Sequence, residues 1–215
     1  MSKKINLNQT VRYTLIADGI SDTVLIPIIE WLLRQYGIAP TNQGSNILGS
    51  GALLEKIQTA IEVDQFDLLF IHRDAERESR EKRLQEITEV LKNISFCPPT
   101  VPIIPVRMTE AWLLFDGEAL RRAVGNDSGK TTLSLPPIKK LEDLPDPKQK
   151  LFELLEAAHN PKTKRKRQEA KKRRFADRHE VARQIDDFSP LRQLSAFRSL
   201  EQDLCSVLGL EYKGR

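Results

Sequence analysis

Two short apolar runs frame the N-terminal half of the chain, residues 11–17 and 66–73, each rich in β-branched or aromatic residues and each followed by acids. Runs of this length and composition predict buried strands. Between them, Val24, Leu25, Ile28, Ile29, Leu32 and Leu33 recur at helical spacing, predicting a helix over 21–36. Ser21 or Asp22 would cap it, Pro27 would sit in its first turns and Gly37 would end it. Residues 40–51 are polar and Gly-rich, predicting a loop with a short strand around Asn46, Ile47 and Leu48. Leu53, Leu54, Ile57 and Ile61 form one stripe of a helix over 52–63, and a charged amphipathic helix is expected over 79–92. The apolar stretch 101–106 holds Pro102 and Pro105, which fits an edge or terminal strand.

Strands alternating with helices imply an α/β fold with a mostly parallel sheet flanked by helices. Thr109 or its neighbour reads as the cap of a helix start over 109–115. Residues 125–147, rich in Gly, Pro and Asp, read as a connector. Beyond it, residues 148–159, a basic stretch to about 187 and residues 190–208 predict three helices. The expected organisation is an α/β core over 1–124, a connector over 125–147 and a basic helical extension over 148–215 that packs on the core.

A length of 215 residues allows a sizeable core, and 40% hydrophobic with 30% charged residues is a soluble globular composition. No apolar run approaches the roughly 18–20 residues of a membrane span, and the first residues lack the apolar core of a signal peptide. Cys97 and Cys205 are too few and too scattered for a disulfide framework. A cytoplasmic protein is expected. The net charge of +4 is unevenly spread: residues 162–174 contain nine Lys or Arg against the single acid Glu169, netting +8, and the remainder nets −4.

In parallel α/β sheets ligands bind beyond the carboxyl ends of the strands. Asp18 and Asp22 follow the first strand, and Asp74 and Glu76 follow the other. Carboxylates gathered there suggest a site for a hard cation such as Mg²⁺ acting on phosphates. The competing reading is helix capping, because acids at a helix start also complement its dipole and its free N–H groups. His159 and His179 have no partners at zinc spacing. Ser128-Gly129-Lys130-Thr131 mimics a phosphate loop, but Gly125 is misplaced for one and no apolar strand leads into it.

Gly19 and Asp22 after the first strand, Asp74-Ala75-Glu76 after the later one, Glu110-Ala111-Trp112-Leu113-Leu114, the stretch 141–148 and the terminal helix from Ser195 to Leu204 together resemble a Toprim-like family. Its members are prokaryotic proteins found beside ABC-type or structural-maintenance-type ATPases. The likeness covers nearly the whole chain. It implies a nuclease similar to the Toprim half of overcoming-lysogenization-defect nucleases, working with an ATPase partner in anti-phage defence. It further implies Mg²⁺ or Mn²⁺ held by Asp18, Asp22, Asp74 and Glu76, with Glu110 as a further catalytic candidate. Two positions depart from the family pattern. Asp18 stands where the family has Glu, with a reach roughly 1–1.5 Å shorter, and Glu76 stands for Asp.

The basic segment supplies candidates for a DNA or RNA backbone: Lys162, Lys164, Arg165, Lys166, Arg167, Lys171, Lys172, Arg173 and Arg174, with Arg183 further on. With only Phe175 nearby to stack, backbone contact is expected in preference to base recognition. A solvated helix face or a partner-docking surface is the plainer alternative. A non-catalytic binding or regulatory subunit on a degenerate Toprim scaffold is the second functional expectation.

Overall fold

The computed structural model describes residues 10–42, 47–48 and 51–213. It is an α/β fold with an all-parallel sheet flanked by helices. The strands are β1 (Thr10–Ala17), β2 (Ala39–Asn42), β3 (Ile47–Leu48), β4 (Leu68–His72) and β5 (Thr100–Ile103). Among the described residues the sheet order is β2-β1-β4-β5, and β3 pairs with β1 beyond the end of β2. The two acid-tipped strands are therefore neighbours, with Tyr13 opposite Leu68 and Ile16 opposite Ile71. β5 lies at an edge, where Pro102 is tolerated. Asn46, part of the expected short strand, lies outside the described residues, as do residues 1–6.

Side-chain alternation along the strands splits the core in two. Tyr13, Leu15, Leu68 and Phe70 face one side, where they pack with helices α1 (Leu25–Gln35), α4 (Gly117–Ala123), α5 (Pro147–His159), α6 (Lys164–Gln184) and α7 (Ser195–Leu208). Ile16, Leu69 and Ile71 face the other side, covered by α2 (Leu53–Val63) and α3 (Arg80–Lys92). The C-terminal helices share one continuous apolar cluster with the sheet, so the extension is built into the core. Trp112, completely buried, meets Phe197 of α7 edge to face, which joins the Glu110–Leu114 stretch to the terminal helix. No described helix is long and apolar enough to cross a membrane.

Three expected helices start differently, each for a local reason. The first opens as a 3-10 turn over Ile20–Val24 before α1 begins at Leu25. Pro27 has no N–H to give the carbonyl of Thr23, so an α-helical start at Ser21 would lose a bond there. Residues 109–113 likewise form a 3-10 turn, and a helix starts only at α4, where Asp116 accepts from the backbone N–H groups of Glu118 and Ala119. The predicted helix over 190–208 is a 3-10 turn at Ser189–Gln193, a break at extended Leu194, then α7. Glu142 of the connector accepts from the N–H groups of Ser195 and Ala196 at 3.0 and 2.8 Å, which starts the helix anew. The connector itself contains a 3-10 turn at Ile138–Asp143 that buries Leu141.

Candidate functional site

The parallel pairing of β1 with β4 carries the chain past two adjacent strand ends, and the acids there divide into two environments. Asp22 sits in the turn after β1, 8% exposed. Its carboxylate accepts from the Gly19 N–H at 3.0 Å and the Ser21 hydroxyl at 3.0 Å. These are capping contacts, so Asp22 starts the turn as well as lining the acidic group. Asp74, just past β4, accepts the Thr109 N–H at 3.1 Å and faces the Thr109 hydroxyl at 3.2 Å.

His72 lies between them. Its Nδ1 is 3.1 Å from the Ile103 carbonyl, which only accepts, so Nδ1 carries a proton and donates. Nε2 then faces the acids, 3.9 Å from Asp22 Oδ1 and 3.5 Å from Asp74 Oδ1. Thr109 Oγ1 is also 3.2 Å from this nitrogen. Its single proton serves Asp74 or His72, not both at once.

Glu110, 6% exposed, completes the acidic group but is answered by Arg178 of α6, whose guanidinium donates to it at 2.7 Å. Both partners are buried, so neither tolerates loss of the other. The neighbouring His179 lies 3.0 Å from the Thr23 hydroxyl. Burial, then the cations Arg178 and Arg183, hold its imidazole below the ordinary value. Asp74 is displaced in the opposite sense. Burial, reinforced by the charges of Asp22 and Glu110, pushes its carboxyl up to about 6 against the favourable pull of His72 and Thr109.

Asp18 and Glu76 stand apart. Asp18 is half exposed and bonded to Lys56 Nζ at 3.0 Å and to Arg73 at 3.2 Å. Lys56, itself 6% exposed, also donates to the Ala17 carbonyl at 3.1 Å. Glu76 has a left-handed backbone, φ 55°, and its exposed carboxylate comes only within 3.8 Å of Arg83. It shares none of the contacts that Asp74 makes with Thr109 and His72. Among the described residues no three His, Cys, Asp or Glu side chains converge tightly enough to hold an ion by themselves. Asp22 and Asp74 are the pair brought together. Two hard carboxylates suit Mg²⁺, which keeps several waters and commonly binds through one or two carboxylates plus substrate phosphates.

The basic segment forms α6, and residues 164–169 at its start are all exposed. Arg165 pairs with Glu169, Arg167 with Glu156 and Arg173 with Asp177, at 2.9, 3.3 and 3.5 Å. Lys162, Lys164, Lys166, Lys171 and Lys172 have no acidic partner among the described residues. Arg183 is exposed and 3.6 Å from Glu180. The second half of the helix is buried through Asp177, Arg178, Val181 and Ala182 and runs against the turn that carries Asp22. A single helix thus spans from a free cationic end to the acidic cluster.

Sequence reasoning did not single out Arg178 or Lys56, though each left a trace. Arg178 continues the stripe Ala170, Arg174, Val181, Ala182 and Ile185, and Lys56 borders the stripe of Leu53, Ile57 and Ala60. A cation on an apolar stripe is one that meets a buried acid or carbonyl. A depression of about 400 Å³ elsewhere, lined by Phe115, Asp116, Arg121 and Asp187 among others, includes none of the acidic cluster. Comparisons of this chain with protein-family models, with curated proteins and with solved structures gave no match.

Proposed function

We propose that the chain is a Toprim-like, Mg²⁺-dependent nuclease subunit that cleaves nucleic-acid phosphodiesters together with an ATPase partner in anti-phage defence. The observation that carries the reading is the pairing of Asp22 and Asp74 at the carboxyl ends of two adjacent parallel strands, where partly buried Asp74 has no Lys or Arg partner among the described residues. Three acids in one neighbourhood with only Glu110 neutralised by a guanidinium leave a place for a cation. Asp22 and Asp74 would hold the metal. When bound, such an ion neutralises a scissile phosphate and lowers the pKa of an attacking water. Thr109 and His72 orient Asp74, the Arg178–Glu110 pair fixes the floor of the site, and the free lysines of α6 draw in the phosphate backbone. The ATPase and the defence role rest on the family resemblance alone.

The test is incubation of the purified chain, with and without the neighbouring ATPase, with plasmid, linear DNA and tRNA in Mg²⁺ or Mn²⁺, against Asp74→Ala. Metal-dependent cleavage that disappears in the variant supports the nuclease. A specific observation favours the second reading, a non-catalytic nucleic-acid-binding or regulatory subunit: Lys56 and Arg73 already neutralise Asp18, and Glu76 is exposed beside Arg83, leaving two acids of the expected four. Salt-dependent polynucleotide binding with no cleavage in any combination would select it.

A further inference from the structure

The basic helix carries an aromatic feature that a purely electrostatic contact does not need. Phe175 of α6 and Phe152 of α5 meet edge to face with centroids 5.3 Å apart. The Arg174 guanidinium carbon lies 4.6 Å from the Phe152 centroid and 4.9 Å from that of Phe175. Arg174 Nε is buried without a hydrogen-bond partner and no acid pairs with the guanidinium among the described residues, so the rings are what hold the cation there. Phe152 is 9% exposed, as a packing residue should be, but Phe175 is 48% exposed. Helix packing accounts for the inner half of that ring and leaves the outer half facing water.

Position along the helix gives the ring a direction. Lys164, Lys171, Phe175 and His179 lie on one stripe, at i, i+7, i+11 and i+15. Both lysines are exposed and lack acidic partners among the described residues, whereas His179 ends the stripe beside Thr23, next to Asp22. Phe175 is one turn from His179, about 6 Å along the axis. The stripe therefore leads from the free cationic end of α6, across an exposed ring, to the acidic cluster.

We propose that Phe175, backed by Arg174 and Phe152, is a stacking platform for an unpaired base, and that the polynucleotide guided along α6 is single-stranded. The proposal rests on the reading of α6 as a nucleic-acid contact. A cationic track holds any phosphate backbone, but an exposed ring gains from a base only where that base is free of its own stack. A duplex offers the phosphates and withholds the base faces.

The test is fluorescence anisotropy in EDTA, with a labelled mixed-sequence single strand and the same strand in a duplex. The full chain is compared with Phe175→Ala and Phe175→Trp. The wild type is expected to prefer the single strand. Phe175→Ala should weaken single-strand binding about tenfold or more and leave duplex binding unchanged, which also reports an intact fold. Phe175→Trp should retain affinity, and its indole fluorescence should be quenched by the single strand and not by the duplex. Equal affinity of the wild type for both forms, equal losses on both in Phe175→Ala, or an unquenched Trp would overturn the platform. Binding of neither form by the wild type would overturn the nucleic-acid reading of α6 along with it. Absent cleavage with the single-strand preference intact would remove only the catalysis proposed above.

Discussion

Asp18 and Asp74 follow neighbouring parallel strands yet meet opposite surroundings. Asp18 is half exposed and held by two cations, Lys56 and Arg73. Asp74 is partly buried, shares its field with Asp22 and Glu110, and among the described residues has no Lys or Arg partner, its one titratable neighbour of the other sign being the His72 imidazole at 3.5 Å. A carboxylate whose charge the protein already balances ties secondary structure together. One whose charge is left unbalanced takes up a proton or a cation instead. By that criterion the acid placed to take one up is at the end of β4, although the two strand ends look equivalent in sequence.

Glu110 tests the comparison most severely, because one residue decides which kind of acid it is. Arg178→Met would leave it buried without a counter-charge beside Asp74. The expected loss is about 3–5 kcal/mol of unfolding free energy, measured by urea denaturation at pH 7.5. Less than about 1 kcal/mol would mean that the pair does not hold the floor of the site.

Next in size is the contrast in cleavage. Asp74→Asn should reduce metal-dependent cleavage on the order of a hundredfold or more, since loss of even an outer partner of a metal ligand commonly costs about 10–100-fold. Asp18→Asn should stay within a few-fold of wild type. Single-turnover assays on one substrate at one Mg²⁺ concentration compare the two directly.

The elevated Asp74 carboxyl also predicts a pH signature whose sign is unusual for an acid. Its folded pKa of about 6 lies above the ordinary carboxylate value of 3.8. Between those values the native state binds more protons than the unfolded chain, so its stability contribution falls as pH rises from about 4 to 6 and stays low above that. Asp74→Asn removes this burden while retaining an acceptor for Thr109. The advantage of the variant over wild type should grow by on the order of 2–3 kcal/mol between pH 4 and pH 7. Parallel stability curves would show that Asp74 is not the partly buried, crowded acid described above. The smallest effect belongs to Asp18→Asn, whose half-exposed side chain keeps an oxygen to accept from Lys56 and Arg73 and whose loss of charge should cost no more than about 1 kcal/mol in the same denaturation curves.

The strand ends were legible because β1 and β4 are buried on both faces and read as continuous apolar runs. β2 was not. Ala39, Pro40, Thr41 and Asn42 carry no apolar signal, and a short edge strand needs none once β1 offers its free hydrogen-bonding side. The acids were found, but their grouping was not. The left-handed turn at Glu76 depends on its N–H reaching the carbonyl of Arg107, a contact across 31 positions that no local pattern announces. Lys56 reaches Asp18 from a helix 38 positions away, and Arg178 reaches Glu110 across 68. Local periodicity places elements. It does not say which charges neutralise one another after the sheet and helices have packed.

The most direct measurement is calorimetric titration of the wild type, Asp74→Asn and Asp18→Asn with Mn²⁺ and then Mg²⁺ at pH 7.5. Binding by the wild type and by Asp18→Asn, lost in Asp74→Asn, is the predicted result. Silence from the wild type, undiminished binding by Asp74→Asn, or loss confined to Asp18→Asn would contradict a metal site built on Asp22 and Asp74.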